Sequence, residues 1–175
     1  WQVIFFYGKG GKILNHNTIN GASNDYGVGI YGKNTEIINN GDIFVGNSVI
    51  VNPNNLSDEA NRFAVGIYAE SGKIENNGNI QFGERGVGIY SYNQSGDIIN
   101  NAQIKSSSDH AMGIYATVGN GYKVENTGTI ELHGNEAIGI SVNNDVIVKN
   151  SGTITVTGDD SIGILAEKNS TVYNT

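Results

Sequence analysis

Cysteine is absent and proline occurs once, at Pro53. Without cysteine there is no disulfide framework and no cysteine-ligated zinc, and the compartment stays open. Charge is scarce: charged residues make up 15% of the chain, against about 25% in an average globular protein. The balance is acidic, with a formal net charge of −7. A basic stripe for phosphate backbones is therefore missing, and no nucleic acid is an expected partner. Disordered chains combine high charge with few apolar residues, whereas here apolar residues recur regularly. No run of about 18 apolar residues exists to cross a membrane as a helix. A charged-then-apolar leader is also missing, which says nothing about secretion in a chain that begins at Trp1. Leucine is confined to Leu14, Leu56, Leu132 and Leu165, too few for the frame of a leucine-rich repeat. No stretch of useful length shows a 3.6-residue period.

What is present in excess is glycine and asparagine, 25 and 26 residues, and they recur in a frame. The clearest copy runs from Gly113 to Ile130: Gly-Ile-Tyr, a variable turn, then Ile/Val-x-Asn-x-Gly-x-Ile. Its Asn falls at Asn15, Asn39, Asn76, Asn100, Asn126, Asn150 and Asn174, with spacings of 24, 37, 24, 26, 24 and 24. A fixed period in the range of about 20–50 residues is the signature of a solenoid.

Each copy holds three short strand candidates, marked by β-branched residues bounded by Gly and Asn. The first is centred on Gly-Ile-Tyr. The second is centred on Ile13, Ile37, Ile74, Ile98, Val124, Val148 and Val172, and the third on Ile19, Ile43, Ile80, Ile104, Ile130 and Ile154. The second and third centres lie six residues apart in all six complete copies, whereas the other two connections vary in length. One corner is therefore expected to be fixed and two to be free loops. These spacings predict an all-β fold, a parallel β-helix of about seven three-stranded rungs of about 24 residues, forming one segment over residues 1–175. Seven rungs at ~4.8 Å give a rod roughly 34 Å long. The expected inward columns are Val28/Val65/Val87/Met112/Ile138/Ile162, Ile30/Ile67/Ile89/Ile114/Ile140/Ile164 and the two Ile/Val sets above. The frame stops in mid-repeat, so the chain is expected to be a piece of a longer one, with further rungs against both ends.

The fixed corner carries the Asn column, whose amides are expected to stack and bond along the axis. Tyr7, Tyr31, Tyr68, Tyr90 and Tyr115 have the opposite parity to the inward Ile and are expected to point outward. Such a column either stacks on itself or offers rings to sugars. The long repeat adds about 13 residues, and residues 46–62 are expected to leave the rod as a loop. In it, Val49, Ile50, Val51, Leu56, Asp58, Glu59 and Arg62 form a candidate binding loop. Val49–Val51 is a candidate extra strand, and residues 57–62 read as one helical turn.

Ala-Val-Gly-Ile-Tyr-Ala (Ala64 to Ala69) followed by Lys-Ile-Glu-Asn-Asn-Gly-Asn-Ile (Lys73 to Ile80) resembles the repeats of the large fusobacterial autotransporter adhesins. The resemblance covers nearly the whole chain. It implies a right-handed β-helical passenger, secreted by the type V route and held at the bacterial outer membrane by a C-terminal β-barrel. It also implies attachment to a protein or glycan on host or bacterial cells.

Parallel β-helices also carry polysaccharide lyases and hydrolases, which need clustered carboxylates. Glu84, Arg85, Asp109, Glu136, Asp159 and Asp160 all precede the Gly-Ile strand and are the candidates for such a cluster. His16, His110 and His133 fall at different points of the frame and make no ligand pair. The expectation is no enzyme, no cofactor and no metal, with a β-helical carbohydrate-active enzyme as the alternative.

Overall fold

The computed structural model describes residues 3–52, 54–55, 62–93, 95–117 and 121–175. Among them every regular element is a strand, and no helix is long and apolar enough to cross a membrane. The strands form three parallel sheets, each strand pairing with the one a full turn of coil later. The first sheet stacks Ile4–Lys9, Val28–Lys33, Val65–Glu70, Val87–Tyr92, Met112–Thr117, Ile138–Asn143 and Ile162–Glu167. The second stacks Lys12–Asn15, Glu36–Asn39, Ile74–Asn76, Ile98–Asn100, Lys123–Asn126, Ile147–Asn150 and Thr171–Asn174. The third stacks Ile19–Gly21, Ile43–Val45, Ile80–Gln81, Gln103–Ser106, Thr129–Leu132 and Thr153–Val156. This is a parallel β-helix of about seven rungs.

Register follows the sequence frame. Ile30 pairs with Ile67, Ile98 with Val124 and Ile104 with Ile130. Like residues therefore stack on like at the strand spacing of ~4.8 Å. Ile30, Ile67, Ile89, Ile114 and Ile140 of the first sheet meet Ile37, Ile74, Ile98 and Val124 of the second and Ile43, Ile80, Ile104 and Ile130 of the third. All are fully buried in one continuous core. No rung closes a core alone; each buries its apolar face only against its neighbours.

Two expectations are corrected. The column Val28/Val65/Val87/Met112 faces outward, in a second apolar cluster with Tyr31, Tyr68, Tyr90, Tyr115 and Phe63. The alternation breaks at the glycine that follows each Val or Met. A Cβ on Gly29 would point inward, 2.7 Å from Ile43 Cγ2 and 2.6 Å from the Gly66 carbonyl oxygen. Only a residue without a side chain lets the strand place two consecutive positions toward the core there. The corner before the first sheet is also no free loop. Tyr26, Arg85, His110, Glu136 and Asp160 all take positive φ, between 50° and 54°. Asp25, Asn47, Asp109 and Asn135 accept backbone N–H bonds from the rung above, for example Asn135 N–H to Asp109 Oδ1 at 2.7 Å. Outside the loop rung its length varies by two residues, but its final turn is stacked like the Asn corner.

The loop at 46–62 leaves and rejoins the rod through an antiparallel bridge, Val49 N–H to Arg62 O at 2.7 Å and Arg62 N–H to Val49 O at 2.9 Å. Its base is pinned by Ser48, whose hydroxyl donates to Arg85 O at 2.7 Å and accepts from Ala64 N–H at 2.9 Å. Val49–Val51 forms this single bridge rather than a strand. Pro53, Leu56, Asp58, Glu59 and the expected helical turn lie outside the described residues.

Candidate functional site

The outer face of the first sheet carries a groove of about 680 Å³. Its floor is the outward column Val65, Val87, Met112 and Ile138, placed there by the glycine break. One wall is Tyr90 and Tyr115, three residues further along each strand. The other wall is Arg85, His110 and Glu136, held out by the positive-φ corner. Ile50 and Phe63, from the two limbs of the loop, line one end. The structure thus brings the loop and the tyrosine column, read separately in the sequence, into one site.

The tyrosines stack on each other. Ring centroids lie 4.9 Å apart for Tyr31–Tyr68, 5.0 Å for Tyr68–Tyr90 and 5.3 Å for Tyr90–Tyr115, with planes within 26° of parallel. Tyr7 joins at 5.1 Å but is tilted by 55°. Tyr31, Tyr68 and Tyr90 therefore have a neighbouring ring on each face, whereas Tyr115 stacks on Tyr90 alone and is followed by Ser141. At the far end of the same strands Glu70 accepts from the Tyr31 hydroxyl at 2.5 Å and from Lys33 Nζ at 2.5 Å. These donors hold Glu70 below its ordinary pKa, Lys33 first and Tyr31 second. Burial, with the Glu70 charge behind it, pushes the Tyr68 phenol up to about 12. Tyr31 is raised as well, by burial and then by its bond to Glu70.

The Asn residues sit on the opposite side of the rod. Asn15, Asn39, Asn76, Asn100, Asn126 and Asn150 each donate from Nδ2 to Oδ1 of the next, the last to Asn174, at 2.7–2.8 Å. Asn39, Asn76, Asn100 and Asn126 are fully buried. In the rungs of Asn15, Asn39, Asn100, Asn126 and Asn150 the same nitrogen also donates to the carbonyl two residues on. Beside it runs an exposed chain that the sequence frame did not reveal. Asn77 donates to Asn40, Asn101 to Asn77, and the Thr127 hydroxyl to Asn101, at 2.7–2.9 Å. These ladders are cohesive: each side chain in them bonds to a neighbouring rung.

The acidic candidates are spread one or two per rung. Glu84 lies 3.7 Å from Arg85 Nε, and Glu136 lies 3.3 Å from His110 Nδ1. His133 instead meets Glu131 at 2.8 Å on the third sheet. Among the described residues no group of three or more His, Asp or Glu gathers where a metal ion would sit. Of the candidate binding loop, Ile50 reaches the groove, Val51 is 65% exposed, and Arg62 is exposed beside the bridge.

Residues 92–175 match the family model of the BigA third pectate lyase-like domain. The match covers 84 of the 175 residues and agrees with a pectate-lyase-like β-helix repeat. No curated protein and no solved structure matches. The BigA-like stretch contains His110, Met112, Tyr115, Glu136 and Ile138, the end of the groove away from the loop. Phe63 and Ile50 lie before it.

Proposed function

We propose that this chain is a non-enzymatic rod segment of a secreted bacterial surface adhesin, carried at the outer membrane by an autotransporter parent. The observation that carries this reading is the unbroken stack of near-identical rungs, interrupted by one loop that delivers apolar side chains to an outer groove. Repetition of this kind sets distance and stiffness, and loops on a rigid scaffold carry contacts. The match to a domain of BigA, an autotransporter-like adhesin, supports the same reading. The repeat frame favours a parent of the large fusobacterial kind. The parent's partner is a protein or glycan on a host or bacterial surface.

The test is antibody raised against the purified rod and applied to intact and lysed source cells, with an in-frame deletion of the segment assayed for attachment. Surface staining and reduced attachment are expected. Staining of lysed cells alone overturns the proposal. The second reading, a carbohydrate-active enzyme, is favoured by the pectate-lyase-like match. It expects new reducing ends from polygalacturonate, lost in Asp109→Asn or Glu136→Gln; the adhesin reading expects none.

A further inference from the structure

The outer groove is covered by the chain itself along only part of its floor. Val28, Val65 and Val87 are 3%, 4% and 8% exposed, with Phe63 packed against them. Met112 and Ile138, further along the column, are half-buried. The column is apolar throughout; what changes is the cover. Phe63 and Ile50 show what seats there: aromatic and aliphatic side chains from a segment passing across the corner.

The wall beside the uncovered part is acidic. Glu136 and Asp160 continue the column of Arg85 and His110, and Asp109 and Asp159 each stand one residue earlier on the same corner. Asp109, Glu136, Asp159 and Asp160 are all exposed. His110 is the one basic group on this stretch, and it faces Glu136 at 3.3 Å. A polyanion, such as an acidic polysaccharide, is repelled by such a wall. What complements the site is a chain bearing apolar anchors and positive charge.

We infer that the open half of the groove binds an extended basic segment of a partner polypeptide, its apolar side chains on Met112 and Ile138 and its Lys or Arg side chains against Glu136 and Asp160. Met112 and Ile138 lie one rung, about 4.8 Å, apart, and same-side residues of an extended peptide about 6.8 Å apart, so one anchor faces each. The inference rests on the groove and holds whatever parent carries the rod.

The probe is a dye-labelled peptide, Lys-Phe-Lys-Phe-Lys, titrated against the purified chain by fluorescence anisotropy, with Glu-Phe-Glu-Phe-Glu and Lys-Ser-Lys-Ser-Lys beside it. Saturable binding of the first alone is expected. Affinity should fall at least tenfold in the exposed-site double variant Glu136→Lys/Asp160→Lys and in Ile138→Ser, with the circular dichroism spectrum unchanged. Glu125→Lys, on the second sheet, should leave it within twofold. The inference is overturned by equal binding of the acidic peptide, by equal loss in Glu125→Lys, or by full affinity in the double variant. Because no cell-attachment assay is involved, either outcome leaves the surface-adhesin reading standing or falling on its own test.

Discussion

Asn100 donates one amide hydrogen to Ala102 O and the other to Asn126 Oδ1, while its own Oδ1 accepts from Asn76. Its side chain is fully buried, so removing it strands a donor and an acceptor in the rungs on either side. Asn100→Ala should cost about 1–3 kcal/mol in urea denaturation, the penalty for unsatisfied buried groups. Asn101→Ala, one residue on and exposed, should stay within about 0.5 kcal/mol. Equal losses would show that the buried chain of amides adds nothing special. Tyr122 makes the opposite case. Its hydroxyl is buried with no hydrogen-bond partner among the described residues, and burial raises its pKa. Tyr122→Phe should be neutral or stabilising by up to about 1 kcal/mol, read from the same denaturation midpoint. Nothing in the repeat marked Tyr122. Its frame-mates Val146 and Ser170 share no chemistry with it, so the sequence offers no column from which to judge its direction.

At the scale of the strand, the glycine of Gly-Ile decides which column points where. A Cβ at Gly88 would lie 2.6 Å from both the Gly113 oxygen and Ile104 Cγ2, whereas one at Gly163 meets nothing within 4 Å. Gly88→Ala should cost about 1–3 kcal/mol or more through overpacking against backbone, and Gly163→Ala should cost little. Thermal melts of the two variants make the comparison. Strand positions and register were legible in the sequence because the Asn-to-Ile distance never changes. The direction of Val28 and its column was not, because strict alternation is the only guide in sequence and the glycine break cancels it. For the same reason the groove was not legible: its floor read as core. The stacked corner of Asp109 and Asn135 was hidden by the variation in its length, from 8 to 10 residues outside the loop rung. The tyrosine column has its own pH signature. With Tyr68 at about 12 and Tyr31 also raised, the folded state holds these phenols protonated where an unfolded chain releases protons near 10. That stability is complete below about 10 and is lost as pH rises toward about 12. A tyrosinate absorbance titration should lag behind that of the urea-unfolded chain. Glu70→Gln should narrow the lag. Coincident curves would show that the column is not coupled to folding.

For the whole molecule, each rung touches only the one before and the one after, so stability is a sum of rungs and shared faces. The loop adds little closure entropy, about 0.6 kcal/mol per doubling of length. Replacing residues 46–62 with a three-residue turn should therefore leave the strand spectrum unchanged while opening Val65 and Val87. Loss of the spectrum would make the loop a structural cover. The backbone ladders and the Asn chain all run along the rod. Tension applied between its two ends therefore loads these bonds in line, one junction after another, rather than across the whole core at once. A released rung of 24 residues spans up to about 80 Å when extended, against ~4.8 Å when stacked. The rung bearing the loop holds 37 residues and releases about 120 Å. Under shear, such a tether lengthens in discrete yields, shedding load at each one while the rest of the coil stays wound.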